Sequence, residues 1–346
     1  MSIPGLTAPV DTALRSFWKK NANVAEVFTK VFDLREPINP ELLQERDSVE
    51  SAVLEQSKGR YLTLYGNRDT LRFLPMGEEE AKKGVLLAIE NQSWIDHQMP
   101  LRLLRYDLIS YASQANYLWN HQVEETGTSD VDESERLSRF RKDDQIHAVV
   151  TLVIYYGKEP WEKPLSLKTM FEEPGDQLSG FANDYPFRLI DVRRLGKEQI
   201  EVFAGEVKAL FGFVRYSEEW EILPIFVETN RDVFQTLSME ATVAILKVTK
   251  SRKLNQYLKK WKKEEEQKAG ESGKEAFDMC KALDDMCEHA KAEGAREGRI
   301  EGERVGEMML EQLIRKLLAD NRTAEIEKAA VDRTYRKKLY RFYGIR

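Results

Sequence analysis

The segment Ile89-Glu90-Asn91-Gln92 brings together side chains able to do chemistry, and Asp69 lies about twenty residues upstream of Glu90. Side chains of a strand alternate between faces, so Glu90 and Gln92 point one way and Asn91 the other. Pairing of the Asp69 segment with this strand would set a second carboxylate beside Glu90. Two carboxylates with polar neighbours make a hard-oxygen site suited to Mg2+. A metal held there activates water and stabilises the charge that develops when a phosphodiester is attacked in line. The same spacing also occurs at an ordinary strand end with polar residues at the surface, so the surrounding elements must decide.

Upstream, Val24, Val27, Phe28, Val31 and Phe32 recur at helical spacing, and Pro37 and Pro40 close that helix. Residues 41–58 are polar and ambiguous, with a helix from Pro40 onwards as one reading. Tyr61–Tyr65 reads as a strand ending at the turn pair Gly66-Asn67, and Thr70–Leu74 as the strand returning from it. Gly84–Ile89 is a strongly apolar strand that delivers Glu90 and Gln92. After Pro100, Leu101, Leu104, Leu108, Tyr111 and Ala115 mark an amphipathic helix. The polar residues 121–145 read as an exposed loop or helix. Ala148–Tyr156 is the most β-rich run, and Trp220–Val227 is a further strand candidate; helices are expected over 196–215 and 230–246. The order of helix, strands, helix and strand predicts a mixed α/β domain around a central sheet.

Bulk composition sets the frame. A 346-residue chain with 42% hydrophobic residues is long and apolar enough for one main domain plus an appendage. The formal net charge of −6 argues against an avid, sequence-independent coat for DNA, yet leaves room for a local basic groove beside an acidic site. Two cysteines, Cys280 and Cys287, cannot build a disulfide framework, which fits a reducing cytoplasm. With His289 they lack a fourth metal ligand and read as helix-face residues. Met1–Val10 has neither a basic start nor a long apolar run, and Ala148–Tyr156 is too short to span a bilayer. The expectation is a cytoplasmic protein with no membrane contact.

Beyond residue 248 lysines and glutamates crowd together, Gly270 and Gly273 mark a joint, and glycines recur at 294, 298, 302 and 306. Four residues per repeat nearly matches a helical turn, so these glycines would form a slowly drifting stripe suited to a partner helix; a frayed charged linker is the alternative. Leu310–Leu318 and Ile326–Phe342 suggest two last helices, the second ending in the basic, aromatic run Tyr335 to Arg341. That run suits either a solvated helix face or contact with nucleic acid. The expected division is 1–247 for the main domain, 248–290 for a charged helical linker and 291–346 for the terminal helices.

Taken together, Ile89-Glu90-Asn91-Gln92-Ser93, Met99-Pro100-Leu101-Arg102, Tyr106-Asp107, the run Val149–Lys158 with Pro160-Trp161, and Arg68-Asp69 upstream resemble the recombination-promoting nuclease or transposase-like family of bacteria. That family belongs to the PD-(D/E)XK nuclease superfamily, and the resemblance covers roughly residues 21–170. It implies a restriction-endonuclease-like core of one helix, three strands, a helix and a strand, with a helical C-terminal extension. It implies Mg2+-dependent endonuclease activity on DNA, with Mn2+ as a substitute ion. Cutting both strands wants two sites, so a homodimer is expected, with the C-terminal helices as the segment that could join it.

Carried over residue by residue, Asp69 and Glu90 become metal ligands, and Gln92 stands where the wider superfamily has lysine. Glutamine carries no charge and cannot act as a base, though it can orient a water. Glu26 corresponds loosely to an acidic residue on the family's first helix, where it could approach the metal or polarise a water; an exposed helix glutamate is the alternative. Arg102 and Tyr106, four apart on one helix face, could meet the scissile phosphate or form a fold-stabilising pair. The alternative to a nuclease is a catalytically weak descendant that binds DNA or protein.

Overall fold

The computed structural model describes residues 9–56, 60–76, 83–126, 131–172, 180–219, 221–250, 296, 299, 301 and 304–345, with the backbone alone at 53–56, 60, 61, 125 and 126. The chain divides into two compact units, Met1–Cys280 and Lys281–Arg346. Cys280, Cys287, His289, the lysine-rich stretch from 251 and glycines 294, 298 and 302 lie outside the described residues. No helix among the described residues is long and apolar enough to cross a membrane.

The first unit opens with α1 (Val10–Trp18) and α2 (Asn21–Val31). In α1, Ala13, Leu14, Phe17 and Trp18 recur at three- and four-residue spacing and are all buried, which is what fixes this short helix against the rest. A 3-10 turn at Pro40–Leu42 replaces the longer helix considered for residues 41–58. That stretch instead supplies β1 (Gln44–Glu45) and β2 (Val49–Gln56).

The expected hairpin through Gly66-Asn67 is overturned. β3 (Arg60–Asn67) pairs antiparallel with β2 in a separate two-stranded sheet, with Val49 opposite Asn67. β4 (Thr70–Pro75) joins the main sheet, whose order is β1-β4-β5-β6-β7. The cause lies between the strands. Arg68 is completely buried and bonded to Asp107, so the chain dives inward there rather than turning back at the surface.

β4 runs antiparallel to β5 (Gly84–Gln92), with Thr70 opposite Ile89. β5 and β6 (Ala148–Tyr155) are parallel, which demands a long crossover, and α3 (Met99–Thr126) makes it, followed by the short α4 (Glu133–Ser138). Burial of β6 in the middle of the sheet accounts for its continuous apolar run. β7 (Arg188–Asp191) extends the sheet in parallel.

Five helices follow among the described residues: α5 (Lys197–Glu201), α6 (Gly205–Tyr216), α7 (Ile222–Thr229), α8 (Arg231–Gln235) and α9 (Met239–Thr249). The strand expected over Trp220–Val227 is therefore corrected to a helix. The sheet thus carries α1, packed with α9, on one face and α3 with the β2–β3 hairpin on the other. Within α6, a methyl group on Gly212 would come within 2.1 Å of the Phe226 ring. That ring is itself held between Tyr216 and Phe234. Gly212→Ala gains about 1 kcal/mol of helix propensity but overpacks this cluster, costing roughly 1–3 kcal/mol. A net loss of stability is expected in a urea titration.

In the second unit, residues 304–319 form a helix, followed by Ala324–Val331 and Arg333–Tyr343. Leu313, Leu317, Ala329, Leu339 and Ile345 form its core. The stretch read as one helix over Ile326–Phe342 is two, because Asp332 leaves helical geometry and caps the second with its carboxylate on the Thr334 and Tyr335 N–H groups.

Candidate active site

Asp69 lies one residue before β4, whose pairing with β5 begins at Thr70 opposite Ile89, and its carboxylate turns towards α1. The Asp69 carboxylate is held from two sides. Oδ1 accepts from Arg15 Nε at 2.9 Å, and Oδ2 accepts from the Asn91 backbone N–H at 2.8 Å and from Asn91 Nδ2 at 3.3 Å. Asn91 is itself oriented: its Oδ1 accepts from the indole N–H of Trp18 at 2.9 Å and from the Tyr156 hydroxyl at 3.5 Å. Two donors on the oxygen leave the amide nitrogen aimed at Asp69. Burial pushes the Tyr156 phenol up, so it remains a donor.

Glu90 occupies the opposite face of β5. Its Oε2 meets Arg102 at 3.2 Å, and Arg102 also bonds Asp96 at 2.8 Å. Glu90 Oε1 is buried with no hydrogen-bond partner among the described residues, and the same holds for Arg102 Nε. Burial, and then the charge of Asp69, push the Glu90 carboxyl up to about 7, against the opposing pull of Arg102 and Arg68. A carboxyl poised there is half charged at neutral pH and lies close to an unmet electrostatic demand.

Gln92 shares the Glu90 face and is buried, with its backbone carbonyl accepting from the Tyr156 N–H at 2.8 Å. Arg102 reaches Glu90, a contact the shared helix face with Tyr106 does not by itself predict. Tyr106 is buried, and its ring lies under the guanidinium groups of Arg68, Arg105 and Arg102, at 5.3, 5.3 and 5.9 Å from its centroid. Glu26 is engaged elsewhere: its carboxylate accepts from the Ala204 N–H at the start of α6, and burial raises its pKa. Lys158 pairs with Glu218 at 2.6 Å and His97 is exposed, both away from this chemistry.

A groove of about 540 Å3 opens onto Asp69, lined by Arg15, Lys19, Arg46 and Arg72 together with Glu45 and Asp47. Arg15 and Asn91 are the site residues that sequence reasoning does not single out. Their roles rest on contacts across 54 and 22 residues of chain, and no local pattern marks them.

The donor set bears on whether a divalent cation fits. Among the described residues no group of three or more His, Cys, Asp or Glu side chains is arranged to hold a metal. Mg2+, however, is commonly held by one or two carboxylates plus water and substrate phosphate. The unpartnered Glu90 Oε1 is an oxygen that could meet that demand, and the Asp69 charge reaches it from the α1 side of the strand.

Residues 77–222 match the model of the family described as "Putative transposase, YhgA-like". The chain is thus similar to a transposase-like family over a span that includes Glu90, Gln92, Arg102 and Tyr106, while Asp69 and Glu26 precede it. No curated protein and no solved structure shows significant similarity to the chain.

Proposed function

We propose that this chain is a Mg2+-dependent DNA endonuclease with a restriction-endonuclease-like core, cutting phosphodiester bonds at Asp69 and Glu90. The observation that carries the reading is the buried, unpartnered Glu90 Oε1, an oxygen within reach of the Asp69 charge that a divalent cation would satisfy. Similarity to a transposase-like family fits a substrate of DNA. A bound Mg2+ supplies Lewis acidity and an activated water.

The chain's own residues have distinct tasks in this reading. Asn91 and Trp18 hold the Asp69 carboxylate in place. Arg15, at the groove, offers a planar fork to a phosphate oxygen once it leaves Asp69. Arg102 holds Glu90 and is released from part of that duty when a cation takes the carboxylate. Gln92 orients a water by hydrogen bonding and moves no proton.

Plasmid nicking tests the reading. Wild type is expected to relax supercoiled DNA with Mg2+ and to stop in EDTA, and Asp69→Asn to slow the reaction at least about 100-fold, the scale of removing one electrostatic stabiliser of a transition state. Absence of cleavage by wild type, or equal cleavage by the variant, sinks it. A second reading, a silent DNA- or protein-binding module, is favoured by Gln92 in place of lysine and by the arginine already seated on each carboxylate.

A further inference from the structure

The helix Arg333–Tyr343 carries five cations and no acidic side chain, in a chain whose formal net charge is −6. From residue 304 onward there are eleven basic and six acidic residues. At roughly 3.6 residues per turn, Arg333, Thr334, Lys337, Lys338 and Arg341 share one side of the helix, and all five are exposed. Leu339 on the other side is buried in the unit's own core.

Several other charges of this unit have structural work. Arg336 donates to the carbonyls of Ala329 and Ala330, closing the preceding helix. Arg322 is paired with Glu325 at 2.7 Å, and Asp332 is spent on the N-cap. Among the described residues Arg333, Lys337, Lys338 and Arg341 make no ion pair, and four like charges on one face repel one another without an anionic partner.

We propose that this face is a docking surface for duplex DNA, independent of the Asp69–Glu90 centre, which grips phosphates without reading sequence. Charge complementarity selects a polyanion. The face spans about 12 Å from Arg333 to Arg341, and a single helix fits the major groove of B-DNA, whereas the A-form groove of RNA is too narrow for side chains. A lipid surface fits poorly, because a membrane-bound helix inserts its apolar side, and here that side is consumed by Leu313, Leu317 and Ala329.

Fluorescence anisotropy on the full chain, with a labelled DNA duplex in EDTA, tests the proposal apart from any cleavage. The variant Lys337→Gln/Lys338→Gln/Arg341→Gln is expected to bind at least about tenfold more weakly. Its log Kd against log salt slope is expected to fall by about 3, one for each phosphate no longer neutralised. The control Arg304→Gln/Arg315→Gln, which removes cations already paired with Glu301 and Glu311, is expected to bind as wild type. Unchanged affinity in the triple variant overturns the proposal, as does wild type that fails to bind the duplex or a control that loses as much. A loss seen on phosphatidylserine vesicles or duplex RNA but not on DNA overturns it in favour of those ligands. Should the triple variant lose helical circular dichroism, single exchanges of Lys337 and Lys338 replace it, each expected to lower the slope by about 1.

Discussion

Glu90→Gln is expected to abolish Mg2+-dependent cleavage and at the same time to make the protein more stable at pH 8. The Glu90 carboxyl is raised from 4.5 to about 7, so between those values the folded state holds a proton that the unfolded chain has released. Stability contributed by this group is fully present below about pH 4.5 and is lost as pH rises through 7, reaching about 3 kcal/mol at alkaline pH. Glutamine cannot ionise, so the variant escapes that loss. Its amide oxygen can still accept from Arg102, although the ion pair's charge is gone.

Thermal unfolding of both proteins at pH 5 and pH 8 measures this. The variant should match wild type near pH 5 and exceed it at pH 8. A variant that is weaker at both values would mark Glu90 as a structural partner of Arg102 and nothing more. Binding of Mg2+ competes with the proton on Glu90, so Mg2+ should raise the wild-type midpoint more at pH 8 than at pH 6. The same addition should do little to the variant. Asp107 and Glu26 are also pushed up by burial, so the variant flattens the pH dependence without removing it.

The parts of this site that local pattern reveals are those held by local pattern. β5, α3 and β6 are legible because each has an uninterrupted apolar run or a clear helical period, and they deliver Glu90, Gln92, Arg102 and Tyr106. The helix Ile222–Thr229 reads as a strand in the sequence for a specific reason. Leu223, Phe226 and Val227 face inward at helical spacing, but exposed Ile222 and Ile225 fill the gaps and erase the period. β7 is four residues long and includes Arg188 and Asp191, too little for any pattern. Gly66-Asn67 looks like a hairpin turn because turn chemistry is local, whereas the pairing of β3 with β2 and of β4 with β5 depends on where Arg68 is buried. Asn91 falls on the face away from Glu90, as strand alternation predicts, but its tie to Asp69 and Trp18 is invisible until the fold closes.

Arg68→Ala should therefore be among the most damaging substitutions in the chain, with a cost of about 3–5 kcal/mol, the scale for removing one partner of a buried ion pair. Arg68 has no exposed surface and serves Asp107 at 2.5 Å, Glu50 at 3.3 Å, and Ser110 and Thr151 at 3.4 Å. Asp107 also accepts from the Tyr185 hydroxyl. Burial already raises the Asp107 carboxyl, and Arg68 is what opposes that rise. Without the guanidinium the Asp107 pKa climbs further, so the variant's deficit should be smaller at pH 5, where protonation relieves the stranded charge, than at pH 8. Arg68→Lys keeps the charge but not the fork that reaches several acceptors, and should recover only part of the loss. Adding Asp107→Asn to Arg68→Ala removes the stranded carboxylate and should restore stability relative to Arg68→Ala alone, with a coupling well above 1 kcal/mol in a double-mutant cycle. Additive losses in that cycle, or an Arg68→Ala deficit that does not change with pH, would show that packing around Arg68, and not its charge, holds β4 and Asp69 in place.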